Sequence, residues 1–271
     1  MASFRGGSAE AVAALTQGLQ SAVSGSTETA TAVGADLFQV ALTLRSEGAL
    51  RRFLTDGSVP AEAKAGLARE VFGGKVGGAS LDLVADAVRR RWTTTRDLAD
   101  ALEHLSVVAA VRSTGDDAGR LADELFAFGE LVKGEPALRD ALSEPARSQA
   151  DKAALVADLL GGKALPATVT LVTQALSGSY RTLAVALGEY QKVASEVRGE
   201  SVATVRVARA LSDAEQDRLA GALARQYGRQ VHLNLLVDPS VIGGIRVEIG
   251  DDVIDGTVAS RLADARRRIA G

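Results

Sequence analysis

Few residues of this sequence have the types and spacing that catalysis or metal binding requires. The 271 residues include no cysteine, which excludes disulfides, thiolate nucleophiles and cysteine-ligated zinc or iron–sulfur sites. The two histidines, His104 and His232, lie far apart and form no paired-histidine metal motif. No serine stands in a nucleophile-elbow context, so neither histidine has recognisable triad partners. We therefore predict no catalytic residue, metal site or cofactor, and expect His104 to be a packing residue and His232 to face solvent.

Two Gly-Gly-Lys triplets are the segments most similar to a phosphate-binding loop. They are Gly73-Gly74-Lys75 and Gly161-Gly162-Lys163. Neither has an earlier glycine at the required spacing, a serine or threonine after the lysine, or a preceding strand pattern. Glycine commonly ends a helix by adopting a left-handed backbone conformation. We interpret both triplets as helix ends and expect no small-molecule substrate.

Composition and charge argue against two further classes of protein. The chain carries a net charge of −3, with 46% hydrophobic and 24% charged residues, the balance of an ordinary folded protein. Nucleic-acid affinity comes from clustered positive charge, so we expect no nucleic-acid partner. The longest apolar runs, such as Val107 to Val111, fall far short of the ~20 residues that cross a bilayer. The first residues also lack the apolar core of a secretory signal, so we expect a cytoplasmic chain without a membrane span.

The periodicity of apolar residues changes once along the chain. Over residues 9–197 apolar side chains recur every three or four positions, which indicates helices. After Gly199 they alternate with polar residues, which indicates strands with one buried face. Ser212 opens a helix between the first two strands with a capping-box pattern, and Thr257 is a candidate N-cap for a last helix over 258–269. We predict a mostly α-helical fold with a small C-terminal α+β unit that contains a mixed sheet.

An internal repeat organises the helical part. A shift of 88 residues aligns many pairs without a gap: Leu37-Phe38 with Leu125-Phe126, Ala49-Leu50-Arg51 with Ala137-Leu138-Arg139, Lys64 with Lys152, and Trp92 with Tyr180. Chance does not sustain one register over so many positions. We predict a duplicated helical bundle, with a first copy over residues 1–104, a second copy over 105–199, and the α+β unit over 200–271.

The helix expected over residues 97–112 is assigned to both copies. Under the same shift it aligns with the first helix, at about 9–24, one stripe of which is largely polar. The equivalent positions here are apolar: Leu98, Leu102, Leu105 and Ala109. A helix that is apolar on two faces is buried on two sides. We hypothesise that the 97–112 helix closes the first bundle and opens the second.

The segment over residues 241–257 is the most distinctive in the chain. Gly243-Gly244 precedes a strand pattern and permits a bulge or a close backbone approach. Gly250-Asp251 lies in a hairpin turn, and Asp255-Gly256 forms a second turn that leads into the last helix. On these features alone the segment is a glycine-rich β-hairpin.

The same segment closely resembles the C-terminal signature of the F-type ATP synthase delta subunit family, the bacterial counterpart of the mitochondrial oligomycin-sensitivity-conferring protein. The matching positions, which the resemblance implies are a family signature or partner interface, are Gly243, Gly244, Gly250, Asp251, Ile254, Asp255, Gly256, Thr257, Arg261 and Leu262. The resemblance is specific from about residue 200 onwards and looser from about residue 97. Thr257 replaces the usual serine and keeps an N-capping hydroxyl. The additional first bundle looks like the longer actinobacterial form of the subunit.

This resemblance implies a mechanical role without catalysis. Such a subunit joins the catalytic headpiece of the rotary ATP synthase to the peripheral stalk, so that the stator resists torque during proton-driven ATP synthesis. The implied partners are the N-terminal helices of alpha subunits, received by a helical bundle, and the b-type stalk subunit, held by the C-terminal unit. The implied location is the cytoplasmic face of the bacterial plasma membrane, as a peripheral part of the complex.

Two other classes of function remain open on the residues alone. A helical-repeat adaptor unrelated to ATP synthase would explain the duplication but not the C-terminal signature. A small-molecule enzyme would need a nucleophile, metal set or phosphate loop that the sequence does not show. The sequence also leaves open which bundle receives the alpha-subunit helices; we favour the second, because it adjoins the C-terminal unit.

Overall fold

The protein is mostly helical and has a small β-sheet towards its C-terminal end, as predicted. The computed structural model describes residues 4–250, 252–258 and 260. The helices are α1 (Gly7–Ala22), α2 (Thr27–Ser46), α3 (Gly48–Thr55), α4 (Ala61–Phe72), α5 (Gly78–Arg89), α6 (Asp97–Arg112), α7 (Ala118–Gly134), α8 (Pro136–Ser143), α9 (Gln149–Leu160), α10 (Pro166–Ala175), α11 (Leu183–Val197) and α12 (Asp213–Tyr227). The strands are β1 (Ser201–Val207), β2 (Val231–Val237), β3 (Ile245–Ile249) and β4 (Asp252–Asp255).

The internal repeat is visible in the helix boundaries. Helices α3 and α4 map onto α8 and α9 with both ends shifted by 88 residues, from 48–55 to 136–143 and from 61–72 to 149–160. Under the same shift α2, α5 and α6 correspond to α7, α10 and α11 to within three residues at each end. The two copies therefore have the same succession of helices, and the predicted duplicated bundle is confirmed.

The Gly-Gly-Lys triplets end helices, as interpreted from the sequence. Gly74, after α4, has φ of 74°, and Gly162, after α9, has φ of 72°, both in the left-handed region that favours glycine. A Cβ on the preceding glycine, Gly73 or Gly161, would collide with a carbonyl oxygen of its own helix. Both glycines of each triplet are therefore needed to turn the chain at the same place in each copy.

Helix α6 is buried along most of its surface. It spans residues 97–112, the range expected of the shared helix, and twelve of its sixteen residues are buried. It packs against α1, α2, α3 and α5 of the first copy and against α7 and α10 of the second. Leu102 is fully buried and Val107 is 1% exposed, so the two stripes predicted to be apolar both face other helices. This packing is what a helix shared by two bundles requires.

The four strands form a mixed sheet in the order β2-β1-β3-β4. Strands β1 and β2 are parallel and are connected through α12, whereas β1–β3 and β3–β4 are antiparallel. Burial alternates along β1, so that Ala203, Val205 and Val207 lie in the core of this unit. They pack with Leu223 of α12, which covers one face of the sheet.

Capping fixes the helices of this C-terminal part. The capping box at the start of α12 is present, with the Ser212 amide donating to a Glu215 carboxylate oxygen at 2.9 Å. Hydrogen bonds from Arg209 and Ser212 lower the pKa of Glu215 to about 2. Thr257 behaves as an N-cap, because its hydroxyl oxygen accepts from the Ser260 amide at 3.2 Å. The rest of the helix predicted over 258–269 lies outside the described residues.

The chain divides into two compact units, Met1–Ala194 and Ser195–Gly271. The first unit, called the helical unit below, contains the first repeat copy and the second copy as far as Ala194, which lies within α11. The second, called the sheet unit, has its own core built on β1. The finer division at 1–104, 105–199 and 200–271 stays a prediction. Among the described residues, no helix is both long and apolar enough to cross a bilayer.

Candidate functional site

The two glycine-containing ends of the signature lie against each other in the sheet unit. The Gly256 amide donates to the Ile245 carbonyl oxygen at 2.9 Å, and the Val258 amide donates to the Gly243 carbonyl oxygen at 2.9 Å. Gly244 has φ of +84°, and a Cβ there would collide with the Gly256 carbonyl oxygen. The predicted close backbone approach at the glycine pair is therefore present, and its partner is the turn before the last helix.

That turn is closed by a single carboxylate. The amide and the hydroxyl of Thr257 both donate to Asp255 Oδ1, at 3.0 and 2.7 Å. These two hydrogen bonds, the hydroxyl's first, lower the pKa of Asp255, so the carboxylate is ionised at neutral pH. A serine would offer the same two donors, which explains why threonine is compatible with the signature at this position.

The remaining signature residues lie at the other end of the hairpin or outside the described part. Gly250 has φ of 59° in the turn between β3 and β4, where Ile249 pairs with Asp252. The hydroxyl of Tyr227, on α12, donates to Asp252 at 3.2 Å and ties the helix to the hairpin. Asp251, Arg261 and Leu262 lie outside the described residues. The structure thus brings together Gly243, Gly244, Asp255, Gly256 and Thr257, and places Gly250 at the opposite end of β4.

Four exposed apolar side chains lie in the segment that contains the contact between Gly243-Gly244 and Gly256, called the glycine junction below; Val253 and Ile254, adjacent on β4, point to opposite faces of the sheet. We call Ile242, Val253, Ile254 and Val258 the signature surface. Their exposed fractions are 80%, 56%, 37% and 41%. All four residues of β4 are exposed, and this strand is at an edge of the sheet. Exposed apolar side chains beside an edge strand are suited to contact another protein.

A buried carboxylate connects the two repeat copies in the helical unit. Glu103, on α6, is 2% exposed and accepts hydrogen bonds from Arg45 of α2 and from the hydroxyl of Tyr190 of α11, the latter at 2.9 Å. It also accepts from the Ser179 amide at 3.1 Å. Arg45 makes a second ion pair with Asp100 at 3.2 Å. One carboxylate therefore bonds to the first copy and the second copy at once.

This cluster changes the proton affinity of its neighbours. Burial, and then the charge of Glu103, raises the pKa of Tyr180 to about 12 and also raises the pKa of Tyr190. Burial also raises the pKa of Asp100, against the opposing charge of Arg45. All of these bonds are internal, which is typical of a structural polar network. The sequence signal was a single glutamate among the apolar residues of the shared helix, and sequence reasoning did not select it.

The two histidines lie in different surroundings. His104 contacts Phe4, with ring centroids 6.3 Å apart, and burial lowers its pKa to about 4. Its predicted packing role is confirmed. His232, expected to face solvent, is half-buried on β2. Among the described residues there is no group of His, Asp and Glu side chains that could hold a metal ion.

Comparison with known proteins identifies the relatives of this chain. A sequence profile described as "ATP synthase delta (OSCP) subunit" matches residues 106–269, more than half of the chain. A protein named ATP synthase subunit delta from a Nocardioides species is 56% identical over 275 residues, covering 100% of this chain and 98% of that protein. A protein of the same name from Streptomyces avermitilis is 44% identical over 269 residues, covering 98% of each.

The extent of these matches separates the two repeat copies. The profile begins within α6 and covers the second copy and the sheet unit, whereas the two full-length relatives also cover the first copy. A chain of the Toxoplasma gondii mitochondrial ATP synthase hexamer matches at 20% identity, covering 57% of this chain and 97% of that chain. Its TM-score of 0.30 supports no argument about the fold.

Proposed function

This chain belongs to the ATP synthase delta (OSCP) subunit family and is a stator component of the ATP synthase, and from that premise we propose that it joins the catalytic headpiece to the peripheral stalk. It does so without taking part in catalysis, as a peripheral protein on the cytoplasmic face of the membrane. An adaptor unrelated to ATP synthase is not favoured, because a relative named ATP synthase subunit delta matches the chain over its full length.

The division into two compact units is the observation that carries this proposal. The boundary falls at Ala194–Ser195, and each unit has a buried core of its own. A connector needs two binding surfaces that each keep their shape when the other is loaded. Two units with separate cores satisfy that requirement.

The helical unit is the part assigned to the headpiece. A helix of a partner binds by placing its apolar face in a groove between helices, which requires a bundle that does not deform. The extensive burial of α6 and the Glu103 network hold the two copies of this unit together. This unit therefore receives the N-terminal helices of alpha subunits in our proposal.

The sheet unit is the part assigned to the b-type stalk. The signature surface is apolar and exposed, and the backbone beneath it is fixed by the bonds between Gly243 and Val258 and between Ile245 and Gly256. A joint that resists torque needs slow release of its partner, and nanomolar affinity corresponds to about −12 kcal/mol. A fixed apolar surface can contribute to such an affinity because little conformational entropy is lost on binding.

Substitutions on the signature surface test this assignment in the full-length protein. Ile242→Glu and Ile254→Glu change exposed side chains, so folding is expected to be unaffected. We expect each to weaken binding of the stalk subunit by about tenfold or more and to leave headpiece binding unchanged. Pull-down and calorimetry with each purified partner measure the two affinities separately.

A matched control lies on the other edge of the same sheet. Val237, on β2, is 55% exposed, and β2 and β4 are the two outer strands in the sheet order. Val237→Glu should leave stalk binding unchanged. In addition, a fragment ending at Gly199 should bind the headpiece and not the stalk. Stalk binding by that fragment would contradict the assignment of the sheet unit.

A further inference from the structure

A cavity of about 470 Å³ opens between the helices of the second repeat copy. It lies among the end of α7, α8, α9, the end of α10 and the start of α11, and we call it the Lys152 cavity after the buried lysine in its lining. Its lining includes four basic residues, Lys133, Arg139, Lys152 and Arg181, and includes no acidic residue. The whole cavity lies within the helical unit.

Lys152 itself is buried without a partner. Its exposed fraction is 6%, and its side chain makes no hydrogen bond or ion pair with any of the described residues. Arg181 has no such partner either, whereas Lys133 is paired with Glu130 at 2.5 Å. The ammonium group is not fully enclosed, so an incoming carboxylate can reach it and form a charge-assisted hydrogen bond. Arg139 is also paired, with Asp140 at 3.8 Å, so Lys152 and the exposed Arg181 are the two unpaired cations of this lining among the described residues.

The apolar walls of the cavity indicate which kind of anion it binds. Val132, Leu142, Leu176 and Leu183 line it together with the ring of Tyr180. A small hydrophilic anion would leave these apolar walls uncovered, whereas a carboxylate on an apolar chain would use both features. We propose that the Lys152 cavity binds an acidic side chain of a peptide segment whose neighbouring residues are apolar. This inference rests on the proposed function in one respect, since it takes the headpiece to be the protein that supplies the segment.

The first repeat copy contains a cavity with three lining residues, Thr55, Lys64 and Trp92, at positions equivalent to lining residues of the Lys152 cavity, which offers an internal comparison. Lys64, the repeat equivalent of Lys152, is 4% exposed and lines a cavity of about 630 Å³ beside Trp92. There, however, burial lowers the pKa of Lys64 while the nearby charge of Asp56 opposes that shift, so a counter-charge is already present. Lys64 therefore serves as the internal comparison for Lys152.

Calorimetry on the full-length protein tests the proposal. The probes are a short capped peptide of leucine and glutamate and its counterpart with glutamine at every glutamate. We expect the acidic peptide to bind and the glutamine peptide to bind at least about tenfold more weakly. Lys152→Met should weaken binding of the acidic peptide by a similar factor, and Lys152→Arg should preserve it. Lys64→Met is the matched control and should change the affinity less than about twofold.

The outcomes separate this proposal from the proposed function. Equal binding of both peptides, or an unchanged affinity in folded Lys152→Met, would overturn the cavity assignment. Displacement of the acidic peptide by low concentrations of inorganic phosphate would also overturn it, in favour of a free-anion site. Headpiece binding by the wild-type protein is measured in parallel. If the wild-type protein binds the acidic peptide but not the headpiece, the proposed function is contradicted and the cavity assignment is not. The native Trp92 reports on the first cavity, and its fluorescence should stay constant while the Lys152 cavity fills.

Discussion

Tyr190 donates a hydrogen bond from its hydroxyl to Oε1 of Glu103, at 2.9 Å and in the interior of the helical unit. The tyrosine lies on the last helix of the second copy and the glutamate on the helix that both copies share. Because the same carboxylate also accepts from Arg45 of the first copy, movement of one bundle against the other would break a charge-assisted bond. We infer that this network keeps the duplicated bundle in one arrangement under load.

Removal of the Tyr190 hydroxyl tests the strength of that bond. We expect Tyr190→Phe to lower the free energy of unfolding by about 1.5–3 kcal/mol, as for a hydrogen bond to a charged group. Chemical denaturation followed by far-ultraviolet circular dichroism measures the difference. Tyr180→Phe is the matched control, because Tyr180 packs on Tyr190 through its ring and has no hydroxyl bond among the described residues. Because both substitutions keep the ring, equal destabilisation by the control would show that loss of a hydroxyl at this place, and not loss of the bond to Glu103, is responsible.

Burial of α6 leads to the second prediction. Leu102→Arg and Val107→Arg each place a charge where no described surface of the helix is open, and each should lower the unfolding free energy by more than about 3 kcal/mol. Leu131, on α7, is 45% exposed, so Leu131→Arg should change the unfolding free energy by less than about 0.5 kcal/mol. Thermal denaturation of the three variants provides the comparison. An unchanged melting temperature in either α6 variant would show that this helix is not shared.

How far the sequence predicts this fold depends on the range of the interactions involved. The ends of α6 were predicted at 97 and 112 because helical periodicity and turn residues are local signals. The capping box at Ser212 and the left-handed glycines are local for the same reason. The bonds of Glu103 reach residues 58 and 87 positions away, and no local pattern marks such partners.

The candidate site shows the same contrast between local signals, which the sequence reveals, and long-range contacts, which it does not. The sequence marks the signature residues because glycine and aspartate at fixed spacing are turn signals. That Gly244 packs on Gly256 follows only from the pairing of β3 with β4 and the return of the chain. The Lys152 cavity was likewise hidden, since the repeat aligned Lys64 with Lys152 but does not reveal that both are buried. Burial of a lysine is a property of the packed helices.

The glycine junction leads to the third prediction. Gly244→Ala introduces a Cβ into contact with the Gly256 carbonyl oxygen at a φ of +84°, so the bonds across the junction should weaken. Hydrogen exchange of the 243–258 segment, measured by mass spectrometry, should become faster. Gly250→Ala is the control, because its φ of +59° is also unfavourable for alanine but its added Cβ meets no atom within 4 Å. We expect about 1–2 kcal/mol of destabilisation in the control and a larger loss in Gly244→Ala.

The low pKa of His104 predicts a dependence of stability on pH. Burial lowers this pKa from 6.5 to about 4 in the folded protein, so between those values the unfolded chain binds the proton more strongly. The stabilising contribution is complete above pH 6.5 and is lost as the pH falls towards 4, by up to about 1.4 kcal/mol for each pH unit. Denaturation of the wild-type protein at pH 7.5, 6.5 and 5.5 should show the loss in the last interval.

The matched variant for this measurement is His104→Gln, which removes the titrating group and keeps a polar side chain of similar size. The difference in unfolding free energy between the wild-type protein and this variant should shrink by up to about 1.4 kcal/mol as the pH falls from 6.5 to 5.5. Carboxylates common to both proteins cancel in that difference. If the difference is independent of pH, then His104 is protonated to the same extent in the folded and unfolded chains, and its packing against Phe4 does not exclude the charged form.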